Sequence, residues 1–262
     1  MVELTQGYDV GLLTFYVFVV FFIGLVIHLQ RESRREGFPL EDDVGNKDKT
    51  SWLFTPEPKT FNLPHGMGDI AVPNDKGDPN SENVKGRQVA NFSGAPWQPT
   101  GDNPMLDGIG PGAWTERADV PDPMHDGTAK IVPMRVLKEA SIATQDVDPR
   151  GLRVVGCDLI VAGRVKDVWV DRMEHAIRYY ELETEIGEEP RTVLVPANMV
   201  TIKTPRDREK VLYVHAITGE QFTQVPTTKK KTEVTLLEEE KIMAYYGAGL
   251  LYATPARQEA WF

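Results

Sequence analysis

The sequence predicts one membrane-spanning helix near the N-terminus, followed by a mainly β domain that ends in a second helix. Residues 11–30 carry no formal charge, and a helix of this length crosses the hydrocarbon core of about 30 Å once. From residue 156 onward, short β-type runs recur about every ten residues. Near the C-terminus, Thr235 and Glu238 have the spacing of a capping box, which marks the start of a helix.

The charges that flank the predicted spanning helix, residues 11–31, are asymmetric. Glu3 and Asp9 precede it without any lysine or arginine, whereas Arg31, Arg34 and Arg35 follow it directly. Because the more basic flank of a spanning helix stays in the cytoplasm, we expect residues 1–10 outside and the domain inside. The N-terminus has neither the basic region nor the cleavage site of a signal peptide, so we expect the helix to remain as an anchor.

The overall charge of the chain bears on which kinds of molecule it can bind. The chain has 39 acidic and 29 basic side chains, which gives a net charge of −10. A nucleic-acid-binding surface needs concentrated lysine and arginine to displace counterions, so this composition disfavours a nucleic-acid partner. The single cysteine, Cys157, excludes an internal disulfide bond and fits a reducing compartment.

Residues 32–108 differ in composition from the rest of the chain. Proline, glycine, asparagine and aspartate are frequent there, and proline removes backbone donors, so we expect no long strands or helices. Large aromatic side chains in this segment would be costly to leave in water. They include Trp52, Phe54, Phe61, Phe92 and Trp97. We therefore expect an extended segment that lies over a partner at the membrane surface.

Residues 109–262 are sufficient for one ordinary domain core. The runs 156–163 and 164–171 predict two strands that meet in a turn at Gly163. Residues 177–185 alternate as in a half-solvated strand, and further strands are predicted at 191–196, 199–203 and 211–216. This spacing is typical of a small barrel or sandwich. The last helix is predicted to end near Tyr246, because Gly247 and Gly249 weaken its far end.

The sequence contains no recognisable catalytic signature. The glycine-rich nucleotide motifs and the Gly-x-Ser-x-Gly motif are missing. The five histidines are far apart and none forms a His-x-x-x-His pair, so we expect no structural zinc site.

Carboxylates are dense in two places. Asp122 and Asp126 flank His125, and Asp171 and Glu174 lie in one predicted hairpin loop. Each cluster is either a solvated acidic face or a patch that collects protons. Like charges held close together raise each other's pKa, so carboxylates in such a patch can exchange protons near neutral pH.

Several blocks of sequence, in order along most of the chain, are similar to one protein family. These blocks are residues 34–41 (Arg-Arg-Glu-Gly-Phe-Pro-Leu-Glu), 58–65, 101–111, 130–134, 156–171 and 233–242. They resemble the H subunits of purple bacterial photosynthetic reaction centres. In the first block, Phe38 stands where the family has a tyrosine, which removes a hydroxyl group.

The resemblance implies a fold and a location. It implies a single N-terminal transmembrane helix, an extended surface segment, and a cytoplasmic PRC-type β-barrel domain at residues 109–262 with a C-terminal helix. It also implies the bacterial inner, intracytoplasmic membrane, with residues 1–10 in the periplasm.

The resemblance also implies partners and a role. H subunits cap the L and M subunits, which hold bacteriochlorophyll, bacteriopheophytin, quinones and a non-haem iron, whereas the H subunit itself binds none of these cofactors. The light-harvesting antenna ring and membrane lipids are further neighbours. The implied role is non-catalytic. It is to stabilise the quinone sites and to conduct protons to the secondary quinone during light-driven electron transfer.

Particular residues carry the implied proton path. The pattern Trp-Val-Asp-x-x-Glu places the family's proton-path acids at Asp171 and Glu174. The family's surface cluster of two histidines and an aspartate is only partly kept. His125, Asp122 and Asp126 occupy the corresponding stretch, so uptake through the same atoms does not follow.

Two other functions are open alternatives. PRC-type barrels also occur in RNA-processing factors, so a membrane-tethered PRC-barrel adaptor protein is one of them. The other is an antenna-type polypeptide, because His28 follows Gly24 at the spacing that ligates bacteriochlorophyll. The acidic net charge disfavours RNA binding. The predicted orientation disfavours the antenna function, and a polar ring near the membrane boundary needs no ligand.

The reduced histidine cluster predicts a weaker response to zinc and cadmium. These ions are expected to inhibit proton uptake in members of this family by binding the histidine-rich surface cluster. Only His125 remains here, and the loss of imidazole ligands weakens the affinity for such ions. Titration of zinc against light-driven proton uptake tests this expectation. Inhibition as tight as in a histidine-rich relative, abolished by His125→Ala alone, would contradict it.

Overall fold

A computed structural model describes residues 7, 9–35, 55–65, 67–74, 84–92, 94–138, 140–187, 189–204 and 209–258. The chain divides into two compact units, one with Met1–Gly77 and Phe92–Gly94 and the other with Asp78–Asn91 and Ala95–Phe262. Phe38, Trp52 and Phe54 lie outside the described residues.

The first unit begins with α1, a helix at Val10–Glu32. The Asp9 side chain caps it and accepts a hydrogen bond from the backbone N–H of Leu12 at 3.1 Å. The apolar side chains of α1 are exposed around the whole helix, and none is buried. An apolar surface on every face suits a lipid environment. The helix is also long and apolar enough to span a membrane, consistent with a membrane-anchored protein.

Only short strands occur in the described part of residues 55–99. In the first unit, β1 (Lys59–Asn62) pairs antiparallel with β2 (Asp69–Val72). In the second unit, β3 (Gly86–Gln88) pairs antiparallel with β4 (Trp97–Pro99). The expectation that this region lacks long regular elements is therefore confirmed for the described residues.

A seven-stranded sheet forms the core of the second unit. Its strands are β5 (Ile131–Pro133), β6 (Arg153–Val155), β7 (Val161–Asp171), β8 (Ala176–Thr184), β9 (Thr192–Pro196), β10 (Val200–Lys203) and β11 (Val211–Val214). The order across the sheet is β10-β11-β6-β7-β8-β9, and β5 pairs with β7. All neighbours are antiparallel except β6 and β11, which are parallel. The predicted mainly β domain is thus confirmed. The sheet is open, because no pairing among the described strands joins β9 to β10.

The predicted turn at Gly163 is wrong, because Gly163 lies inside the continuous strand β7. The chain reverses before that strand, where the backbone N–H of Leu159 donates to the carbonyl of Gly156 at 3.0 Å. A Cβ atom at Gly163 would lie 2.0 Å from the backbone oxygen of Glu183 on β8. The glycine is therefore needed for close approach of two strands rather than for a turn.

The C-terminal helix, α2, extends from Leu236 to Tyr252 and begins with the predicted capping box. Its predicted end near Tyr246 is wrong. A Cβ atom at Gly247 would lie 2.8 Å from the Pro111 carbonyl oxygen, and one at Gly249 would lie 2.7 Å from the Ala216 carbonyl oxygen. These glycines let the helix pack closely on neighbouring backbone, and the packing compensates for their low helix propensity.

Strand β8 is less solvated than its alternating sequence predicts. Glu181 is 2 % exposed, although it alternates with apolar residues, and it lies directly opposite Asp167 on β7. Arg135 joins the two carboxylates, with Nη1 3.0 Å from Asp167 Oδ2 and 2.5 Å from Glu181 Oε2. The Trp169 indole also donates to Glu181 at 2.8 Å. Buried like charges on facing strands are unfavourable alone, so this cation is needed for the sheet to form.

We expect Arg135→Gln to lower the free energy of unfolding by about 3–5 kcal/mol, because it leaves two buried carboxylates without their shared cation. Lys166→Gln is the matched control. Lys166 pairs with Glu183 across the same two strands at 3.1 Å, but both side chains are about half exposed, so its loss should cost less than about 1 kcal/mol. Urea unfolding of the full chain in detergent, followed by tryptophan fluorescence, measures both. Equal losses for the two variants would contradict the prediction.

Candidate functional site

A cleft of about 550 Å³ opens between the start of β5, strand β8 and helix α2. Its lining is dominated by charged side chains of both signs. They are Arg117, Asp122, Lys130, Arg178, Glu239 and Glu240. Tyr179 and several apolar side chains complete the wall. The cleft therefore combines titratable groups with partial shielding from water, the setting in which pKa values move away from their usual ranges.

Lys130 links two of the predicted acids. Its backbone N–H donates to the Asp122 carbonyl at 2.9 Å, and its Nζ lies 3.5 Å from Asp122 Oδ2 and 3.4 Å from Asp171 Oδ2. The register of β5 on β7, which places Ile131 opposite Asp171, holds Lys130 in this position. A single fixed cation thus connects the acid of the cleft wall with the acid at the end of β7.

Asp171 is fully buried. Its Oδ1 accepts backbone N–H groups from Met173 at 2.9 Å and from Glu174 at 3.1 Å. Its Oδ2 has no hydrogen-bond partner among the described residues and faces Lys130, with Arg178 Nε at 4.0 Å. Burial opposes ionisation, but the backbone hydrogen bonds and the Lys130 charge outweigh it and lower the pKa of the Asp171 carboxyl.

Glu174 lies close to Asp171, as predicted, and shares a cation with it. Glu174 Oε2 is 3.8 Å from Arg178 Nη1, and the Glu174 side chain is 57 % exposed. The sequence predicts that mutual repulsion raises one pKa in this pair. At Asp171 this expectation is wrong, because its pKa is lowered by hydrogen bonds and by a cation from outside the loop. Asp171 is therefore a permanent negative charge near neutral pH.

His125 and Asp126 lie on an exposed turn and do not line the cleft. Asp126 Oδ1 accepts the hydroxyl of Thr128 at 2.6 Å and its backbone N–H at 2.9 Å. These hydrogen bonds lower the pKa of Asp126. Arg172 donates to the same Thr128 hydroxyl at 2.7 Å. Of the predicted surface cluster, only Asp122 reaches the cleft.

Glu239 is the site residue that the sequence did not reveal. It is half-buried in the first turns of α2, and its Oε2 accepts the Tyr179 hydroxyl at 2.8 Å. Burial raises the pKa of the Glu239 carboxyl despite that hydrogen bond. Burial and the negative charge of Glu239 also raise the pKa of Tyr179. In sequence, Glu239 is the middle of three glutamates that look like ordinary helix-start acids, and only its burial and its hydrogen bond with Tyr179 distinguish it.

The arrangement can bind and pass protons. Glu239 has a raised pKa and Asp171 a lowered one, and the charge of Arg178 acts on both. Two carboxyls shifted in opposite directions can divide the roles of proton carrier and fixed charge. Arg178 and Lys130 lie near Asp171 and also line the cleft, where they supply permanent positive charge. Within the described ranges, no three His, Cys, Asp or Glu side chains are grouped closely enough to hold a metal ion.

The fold and the cleft define a membrane-anchored protein with a charged β domain, and two family comparisons agree with this class. The PRC-barrel domain family matches residues 144–221. The family described as photosynthetic reaction centre, H-chain N-terminal region, matches residues 2–136, more than half of the chain. The protein therefore belongs to the photosynthetic reaction centre H-chain family. The resemblance found in the sequence is confirmed. The family is a structural subunit that associates with other reaction centre subunits.

The raised pKa of Glu239 predicts a pH-dependent stability that Glu239→Gln removes. A carboxyl that holds its proton more tightly in the folded state stabilises the fold below its unfolded pKa of about 4.3. That contribution is lost as the pH rises through the folded pKa. Between about pH 4 and pH 7, the variant should therefore lose less stability than the wild type. Urea unfolding of the full chain in detergent at a series of pH values measures this difference.

Asp171→Asn is the control for this experiment and should have the opposite sign. The lowered pKa of Asp171 stabilises the fold above its unfolded value, and this contribution is lost as the pH falls through the folded pKa. Parallel curves for the wild type and Glu239→Gln would contradict the assignment of Glu239.

Proposed function

We propose that this chain caps the L and M subunits of a photosynthetic reaction centre on the cytoplasmic side and conducts protons to the secondary quinone. The observation that carries the proposal is the pair of oppositely shifted carboxyls, Glu239 in the cleft and Asp171 beside it, which are connected by Lys130 and Arg178 of the cleft wall. Quinone reduction consumes protons in a pocket shielded from water, so a relay of titratable groups on the capping subunit has a defined task.

The roles within the relay follow from exposure and charge. Asp122, at the cleft wall, and Glu174, with its exposed side chain, are the groups that exchange protons with water. Glu239 holds a proton at higher pH than an ordinary carboxyl. Asp171 stays ionised, and its charge keeps Lys130 and Arg178 in place. His125 and Asp126 supply a surface group next to the relay for proton uptake.

The orientation and surroundings belong to the same proposal. Arg31, Arg34 and Arg35 follow the apolar helix, which supports a periplasmic N-terminus and a cytoplasmic domain in the inner membrane. L and M are proposed to carry the bacteriochlorophylls, bacteriopheophytins, quinones and non-haem iron, and this chain to bind none of them. The antenna ring and lipids are the proposed neighbours within the membrane, and this chain is proposed to have no catalytic activity of its own.

A membrane-tethered PRC-barrel adaptor is the alternative, and the PRC-barrel match at residues 144–221 favours it. Purification in mild detergent separates the two functions. Co-purification with two larger pigmented subunits supports the reaction-centre function, whereas a colourless monomer supports the adaptor.

We expect Glu239→Gln and Glu174→Gln to slow the second, proton-coupled electron transfer to the secondary quinone by about tenfold or more, the scale of losing one positioned acid–base group. The first electron transfer should change little, because it needs no delivered proton. Flash-induced quinone kinetics at neutral pH measure both steps in the assembled complex.

Glu183→Gln is the control for these kinetics. Its carboxylate pairs with Lys166 on the sheet surface away from the cleft, so both electron transfers should keep wild-type rates. The proposal would be contradicted if the second electron transfer kept its wild-type rate in Glu239→Gln, in Glu174→Gln and in the Asp171→Asn/Glu174→Gln double variant. The cleft would then be only a solvated charged surface.

A further inference from the structure

A buried tyrosine, Tyr179, lines the cleft without carrying a proton in the proposed relay. Its side chain belongs to the main hydrophobic core, and the residue is 4 % exposed. Strand β8 lies between β7 and β9, so that Trp169 is opposite Tyr179 on one side and Pro196 on the other. Because the ring is packed within a central strand of the sheet, its hydroxyl group has a fixed position at the cleft wall.

The Glu239 carboxylate makes its direct polar contact with that hydroxyl. Glu239 Oε2 accepts the Tyr179 hydroxyl at 2.8 Å, and among the described residues no lysine or arginine forms an ion pair with Glu239. Instead, the nearest cations are paired with other acids, Arg178 with Glu174 and Arg117 with Glu240. The charged groups that act on Glu239 from a distance or share its cleft are Arg178 on β8, Arg117, Asp122 and Lys130 before β5, and Glu240 on α2.

The Tyr179 hydroxyl opposes the effect of burial on Glu239. Burial favours the neutral carboxyl, whereas a hydrogen bond donated to the ionised carboxylate favours the charged form. Burial and the charge of Glu239 raise the pKa of Tyr179, so its hydroxyl stays protonated and remains a donor. A phenylalanine at this position would keep the packed ring but remove the donor. Glu239 would then retain its proton over a wider pH range.

We propose that Tyr179 is a positioning residue for Glu239, whose hydroxyl orients the carboxyl group and sets how readily that group releases a proton. The inference rests on the proposed function for the destination of the proton, the secondary quinone, but not for the effect on Glu239 itself. A carboxyl that holds its proton too tightly cannot pass it on, and one that holds it too weakly is not loaded near neutral pH. Tyr179 keeps Glu239 between these limits.

The test compares Tyr179→Phe with Tyr180→Phe, which makes the same chemical change at the next position of β8. Tyr180 points to the other face of the sheet, opposite Val168 and Val195, and does not line the cleft. The infrared band of protonated Glu239, identified as the band missing from Glu239→Gln, is titrated with pH in the full chain in detergent. Its midpoint should move upward by about one pH unit in Tyr179→Phe, the scale of one hydrogen bond to a charged group. Tyr180→Phe should keep the wild-type midpoint.

Kinetics of the assembled complex separate this inference from the proposed function. If both hold, the pH at which the second electron transfer begins to slow should move upward in Tyr179→Phe, and the move should vanish when Glu239→Gln is also present. A moved infrared midpoint with unchanged kinetics would contradict the proposed function and confirm the role of Tyr179 at Glu239. An unmoved midpoint in Tyr179→Phe, or an equal movement in Tyr180→Phe, would overturn the inference.

Discussion

The structure depends on how the two longest strands accommodate buried carboxylates. Asp167 on β7 and Glu181 on β8 face each other at 4 % and 2 % exposure, an arrangement that requires a cation between them. Arg135 supplies it from the short segment that directly follows β5. Because of this position in the chain, the same ion pairs hold β5 against β7. The register of β5 then places Lys130 beside Asp171.

A buried acid is paired with a cation near the cleft as well. Asp171, like Asp167, is a buried acid of β7 that is matched by a cation from the preceding segment. Here, however, the two cations near the acid, Lys130 and Arg178, also line the cleft that contains Glu239 and Tyr179. Burial outweighs hydrogen bonding at Glu239, and hydrogen bonding outweighs burial at Asp171, so one pKa rises and the other falls. The pairing of a buried acid with a cation, which stabilises the sheet, thus also sets the charges on which the proposed proton transfer depends.

The errors of prediction at three glycines have one physical cause. Local patterns predict α1, strands β8 to β11 and the capping box of α2 well, because periodicity and capping depend on residues close in sequence. Gly163, Gly247 and Gly249 each lie against backbone from another part of the chain, so close that a Cβ atom would not fit. From the sequence alone, a glycine predicts a turn or the end of a helix. In the fold, these glycines instead allow two backbone segments to pack closely.

The sequence by itself determined the apolar anchor, the mainly β domain, the family, and the proximity of Asp171 and Glu174. All of these follow from composition, residue spacing and sequence motifs. Only the tertiary structure decided which acids act together. Glu239 joins the site because α2 places it beside Tyr179 of β8. His125 stays on a surface turn, whereas Asp122 lines the cleft and pairs with Lys130. The reason is that a pKa depends on burial and on charges within a few ångströms. Some of these neighbours, such as Lys130 for Asp171 and Tyr179 for Glu239, are distant in the chain and are brought close only by the fold.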